Sequence, residues 1–171
     1  MGRKENLISG FPEKLKRSTS SPELVYRISK EHYAVRGSSA PRAPESPVFT
    51  LTTDTGERIT VCREDPTGRR ELSEHAIITA VYSEPSSGGV VVPTGLVFVR
   101  FRDSIKAESK RQALERAGYR LVRLLAYAPN AAWVEALSGD IAEALRNIGR
   151  LEELDAVENV EPQLLSKRAS K

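Results

Sequence analysis

The sequence predicts an α+β chain. Three observations between residues 91 and 165 carry that prediction: a strand of β-branched and aromatic residues, two helix signals, and a hairpin set between them. Leu96, Val97, Phe98, Val99, Arg100 and Phe101 form the first strand. Ser104 is placed to cap a helix running to Ala117, and Gly118 follows where a left-handed residue ends helices. Arg120 to Tyr127 reads as a second strand, Pro129 and Asn130 as a turn, and Ala131 to Leu137 as a third strand carrying the single tryptophan, Trp133. Beyond Gly139 and Asp140, Ile141, Ala144, Leu145, Ile148 and Leu151 fall on one face of a helix. Val157 to Glu161 gives a short fourth strand, ended by Pro162. The order β-α-β-β-α-β predicts a ferredoxin-like sandwich, a four-stranded antiparallel sheet with two helices on one face.

Upstream the texture differs. Residues 1–47 form a basic, Pro/Ser-rich arm expected to be flexible and partly disordered, ending in Ala40, Pro41, Arg42, Ala43, Pro44, Glu45, Ser46, Pro47, a linker by composition. Within it Leu24, Val25, Tyr26, Arg27 and Ile28 are isolated, fitting one short strand or helical turn. Residues 48–90 read as a small β-rich segment with a linker. Phe49 and Leu51 alternate with Thr50 and Thr52, Asp54, Thr55 and Gly56 turn, and Arg58, Ile59, Thr60 and Val61 return as a hairpin. Ala76 to Tyr82 is a third strand there, followed by a linker from Pro85 to Gly89. The expected ferredoxin-like unit spans 91–165, and 166–171 is an extended C-terminal tail.

Composition narrows the function classes. Hydrophobic residues at 39% and charged residues at 29% are a globular mixture with enough apolar side chain for a core. No stretch approaches the roughly 18 uninterrupted apolar residues of a spanning helix, and the first residues carry no export pattern, so a cytoplasmic, membrane-free chain is the default expectation. The net charge of +3 resides in the arm. Residues 1–48 hold nine Lys/Arg against five Glu, leaving 17 against 18 in the remainder, and no nucleic-acid partner is expected without clustered Arg and interleaved aromatics. Cys62 is the single cysteine and packs as a small hydrophobe. With His32 and His75 it makes no zinc set. The acids Glu152, Glu153, Asp155, Glu158 and Glu161 lack calcium-loop spacing, and Gly88–Gly89 is not followed by the Lys and hydroxyl of a phosphate loop. No serine stands in a Gly-x-Ser-x-Gly turn with a histidine to serve it. The expectation is a non-enzymatic chain with no catalytic residues, cofactor or metal.

The strands of 91–165 are apolar on both faces. Val97, Val99 and Phe101 oppose Leu96 and Phe98, and Trp133 and Leu137 oppose Ala132, Val134 and Ala136. Two helices cover one face, so the other should meet a partner. Residues 48–84 or a second copy of the chain, in a homo-oligomer, are the alternative covers.

Gly95 to Phe101, Gly118 to Val122, Tyr127 to Glu135 and Val157 to Pro162 together resemble the N-terminal propeptide domain of subtilisin-like serine proteases, over about residues 93–171. That resemblance implies a ferredoxin-like domain that acts as an intramolecular folding chaperone and then an inhibitor of its protease, in cis as a proprotein or in trans. It implies an open sheet face docked on two surface helices of the protease, with Tyr127, Asn130, Trp133 and Glu135 as docking residues. Asn130 and Glu135 would accept hydrogen bonds from the N-termini of those helices. The tail Leu165, Ser166, Lys167, Arg168, Ala169, Ser170, Lys171 would lie in the active-site cleft as a product mimic. The chain departs from the family in lacking a visible secretion signal, in about 90 preceding residues, and in having no protease domain after Lys171. The alternative is a ferredoxin-like interaction or oligomerisation module with no protease partner.

Overall fold

The computed structural model describes residues 8–37, 47–63 and 77–167, and among them are nine strands and three short α-helices. The strands are β1 (Lys14–Ser18), β2 (Ser21–Arg36), β3 (Pro47–Thr52), β4 (Arg58–Arg63), β5 (Ile77–Ser83), β6 (Val90–Phe101), β7 (Tyr119–Leu125), β8 (Ala128–Ala136) and β9 (Val157–Ser166). A 3-10 turn at Ala107–Lys110 leads into α1 (Arg111–Arg116), and α2 (Ile141–Arg146) and α3 (Ile148–Glu152) stand between β8 and β9. All strands join one antiparallel sheet in the order β3-β4-β2-β5-β6-β8-β7, with β1 added to β2 and β9 to β6.

This corrects the predicted architecture. The molecule is not a small four-stranded ferredoxin-like sheet with two helices, preceded by a separate β-rich segment and a flexible arm. Much of the arm is sheet: β1 and β2 come from it, and β4 and β5 pair along opposite edges of β2. The reason β2 reads as an isolated patch is local. Its register against β5 shifts between Ile28 and Tyr33, where the Ser29 hydroxyl oxygen accepts from the N–H groups of Glu31 and His32 at 3.3 and 3.2 Å. That bulge interrupts the alternation, and beyond it Tyr33, Ala34 and Val35 are buried in succession, so β2 shows no continuous two-residue period.

Smaller departures also have physical causes. The hairpin turn is Ala126–Tyr127, not Pro129–Asn130, because β8 already begins at Ala128 opposite Leu125. No pairs with β7 fall between Ala128 and Ala132, so Pro129, which has no N–H, sits in a gap of that ladder. β9 runs through Pro162 to Ser166 and does not stop at it. Its register against β6 shifts between Pro93 and Val97, the bulge containing Gly95 at φ +92°. Ser104 caps no helix, and the regular turns begin only at Ala107. Gly118, at φ +94°, does end α1. Asp140 caps α2 through a 2.8 Å bond accepted from the Glu143 N–H, but the expected single helix breaks at Asn147.

The core lies in linked clusters. Under the helices Val97, Val99, Phe101, Val134 and Val160 meet Leu114 and Leu151. Leu15, Tyr26, Ala80, Tyr82 and Val91 pack with Leu145 of α2, joining the first strands to the helical layer. Ala34, Ile59, Val61, Val81 and Val92 form a further cluster. Two core tyrosines find backbone acceptors: Tyr82 donates to Pro12 O at 2.7 Å and Tyr119 to Ala144 O at 2.5 Å. Burial pushes both phenols well above the ordinary tyrosine range.

Candidate functional site

Alternation along β6 and β8 sorts the side chains of the site. Val97 pairs with Val134 and Val99 with Ala132 toward the helices, so Phe98 and its partner Trp133 project from the opposite face. There the two rings meet edge to face, with centroids 5.4 Å apart and planes at 62°. The Arg123 guanidinium lies 6.0 Å from the Trp133 ring centre. Arg120 and Glu135 are joined at 2.6 Å across the hairpin, and Arg100 faces Glu158 of β9 at 3.7 Å. The principal elements packed on β7 and β8 are β6, the 3-10 turn, α1 and α2.

The β7–β8 hairpin and the residue after it also hold four of the six exposed large apolar side chains among the described residues. Val122 and Leu124 lie along β7, Leu137 follows β8, and Tyr127 at the tip is 86% exposed. Such a concentration on one hairpin differs from the single exposed apolar residues normal on a soluble surface.

Of the four expected docking residues, Trp133 and Glu135 share the projecting face and Tyr127 marks its tip. Asn130 is engaged within the chain. Its side-chain amide donates to Phe101 O at 2.8 Å and to Asp103 Oδ1 at 3.3 Å, tying the start of β8 to the end of β6. Glu135 has Arg120 as its partner. The tail begins later than expected. Leu165 and Ser166 are in β9, opposite Val92 and Val91, and exposed Lys167 follows them. Arg168, Ala169, Ser170 and Lys171 lie outside the described residues, as does His75. His32 is in β2, its Nδ1 3.1 Å from Ser29 Oγ, and Cys62 is fully buried in β4.

A cleft of about 690 Å³ is lined by Arg36, Glu57, Thr94, Gly95, Glu135 and Asp140 among others. The sequence reading missed its central group. Arg36 makes a two-point contact with Glu57, at 3.2 and 2.6 Å, and donates its remaining nitrogen to Thr94 O at 2.8 Å. The guanidinium therefore binds β2 to the β3–β4 turn and to β6, and its charge is spent inside the chain. Residues 21 and 58 positions apart carry no periodic signal that would have joined them. Among the described residues, no group of three or more His, Cys, Asp or Glu side chains is arranged to hold a metal ion, and no helix is long and apolar enough to cross a membrane.

Comparison with protein-family models, with curated proteins and with solved structures finds no match to this chain.

Proposed function

We propose that the chain is a non-enzymatic binding module for a subtilisin-like serine protease, inhibiting it and assisting its folding as the propeptides it resembles do. The Phe98–Trp133 face docks on the protease, and the chain leaving β9 at Ser166 enters the active-site cleft. The observation that supports this reading most is the aromatic pair itself. Two large rings stand on the strand face opposite the helices, on a rigid ladder, with Tyr127 exposed beside them. Anchors of this kind carry most of the affinity of protein interfaces. The exit from β9 adds a second support, since a segment already extended can pair with a protease's substrate-binding strands without a large ordering cost.

Titration of the full chain against a panel of subtilisin-like proteases tests the reading. Inhibition by the parent is expected with at least one of them. Trp133→Ala should weaken it about 30-fold, the scale of a 2 kcal/mol interface anchor. Truncation before Lys167 should weaken it strongly while thermal unfolding is unchanged. A panel with no inhibition, or a truncated chain as potent as the parent, refutes the model. A dimeric mass in solution that falls on Trp133→Ala would favour the oligomerisation alternative.

A further inference from the structure

The strip formed by β9, β6, β8 and β7 is electrically polarised. Residues 100–123, which end β6 and supply α1 and most of β7, hold eight Lys/Arg and three Asp/Glu; residues 135–161, which supply α2, α3 and the first half of β9, hold eight Asp/Glu and two Lys/Arg. The basic end coincides with the end of the sheet. Among the described residues β7 is a terminal strand, paired only with β8, and Arg120, Val122, Arg123 and Leu124 along it are all exposed. α1, which lies against β7, adds exposed Arg111 and Arg116. Glu135 neutralises Arg120, whereas Arg123 has the Trp133 ring beside it and no ion pair among the described residues.

We propose that the β7 edge is a docking site for an extended acidic segment of a partner protein, which adds to the sheet as a further strand. This goes beyond the protease reading and does not rest on it, since that reading uses the Phe98–Trp133 face and the tail. An edge strand presents a row of backbone donors and acceptors, and strand addition satisfies them. Charge selects the occupant. Two copies of β7 laid side by side would bring Arg120 and Arg123 of each near the same groups of the other, and like charges across a strand pair are unfavourable. An acidic strand reverses that sign, is drawn in by the field of the basic end, and finds Val122 and Leu124 as apolar neighbours for alternate side chains.

The test uses the full chain and a fluorescent peptide of about eight residues alternating Glu and Val, a typical strand length. Two control peptides replace Glu by Lys, or place Pro at the two central Val positions with the charge kept. The acidic peptide should bind at low salt and lose affinity as salt is raised, because screening acts on exposed charges beyond roughly 8 Å at physiological ionic strength. The Lys and Pro peptides should bind at least about tenfold more weakly, a difference of about 1.4 kcal/mol. Amide exchange should slow at residues 120–124, and Val122→Glu should reduce binding. Equal binding of the three peptides, protection elsewhere, or absence of binding overturns the proposal. A single-stranded oligonucleotide that outcompetes the acidic peptide also overturns it and assigns the basic end to nucleic acid.

Discussion

The two halves of the sheet bury their apolar side chains by different means. In β5 four consecutive residues, Thr79, Ala80, Val81 and Tyr82, are buried, and in β2 the run Tyr33, Ala34, Val35 is too. Side chains alternate across a strand, so such runs require cover on both faces. The clusters around Tyr82 and Val81 draw on neighbouring strands, α2 and α3 to supply it. From Ala132 to Ala136 β8 instead alternates, with Ala132, Val134 and Ala136 buried and Trp133 and Glu135 only half-buried. One face has α1, α2 and α3; the other has an aromatic pair and arginines. Among the described residues, then, the second half is where strands leave one face to side chains alone.

The largest effect that would break this comparison comes from placing a carboxylate on each kind of position. Val81→Asp and Val134→Asp should each cost several kcal/mol, the scale of a buried unpaired charge, and abolish cooperative unfolding by circular dichroism. Trp133→Asp should keep a cooperative transition and lose partner binding. Equal loss of structure in all three would mean that both faces are buried throughout.

The Arg36 contact joins the halves, and its removal is the next test. Arg36→Ala leaves the Glu57 carboxylate and Thr94 O without their donor, and should cost about 2 kcal/mol, the range for bonds to charged groups. Chemical denaturation should show the loss as a lower midpoint. A slope change alone would point instead to an altered denatured state.

Alkaline titration separates the tyrosines of the two halves. Both phenols have folded-state pKa values raised above 10.0 by burial. Above pH 10 the unfolded chain releases protons that the folded chain retains, so stability is constant below that pH and falls as pH rises beyond it. Tyr119→Phe should lose about 1 kcal/mol at neutral pH with its bond to Ala144 O, and should make the alkaline fall shallower. Tyr82→Phe should do the same through Pro12 O. An unchanged alkaline slope in both variants would show that neither phenol stays neutral in the folded state.

The smallest effect concerns a cap. Asp140→Ala should cost about 1 kcal/mol, measured by thermal unfolding, because Asp140 accepts from the Glu143 N–H at the start of α2. No loss would mean that packing alone holds the helix.

What could be read from the sequence follows from the range of the forces involved. The strand at Leu96 to Phe101, the hairpin around Gly56, the helical face beginning at Ile141 and the helix end at Gly118 depend on near neighbours, and the residues show them. The projection of Trp133 also follows, since it sits between Ala132 and Val134 in an alternating strand. The sheet as a whole does not. β2 hides its length behind the Ser29 bulge, and Pro129 and Pro162 signal ends where the chain continues past gaps in pairing. Arg36–Glu57 and Arg123–Trp133 arise from strands brought together only by the register, so no local pattern announces either.

The turn between β1 and β2 is bonded to the last strand of the chain that the structure describes. The Thr19 N–H donates to Val160 O at 3.1 Å, its hydroxyl oxygen accepts from the Val160 N–H at 3.2 Å, and the same hydroxyl donates to Glu152 at 3.0 Å. The second of these bonds spans 141 positions. During synthesis the N-terminal hairpin emerges long before its partner exists, so this closure must wait for β9 to be made. Contacts so distant in sequence slow folding, since the loop entropy is lost before the contact repays it. A nascent chain arrested before Val157 should therefore display the β1–β2 hairpin to proteases that the finished chain resists.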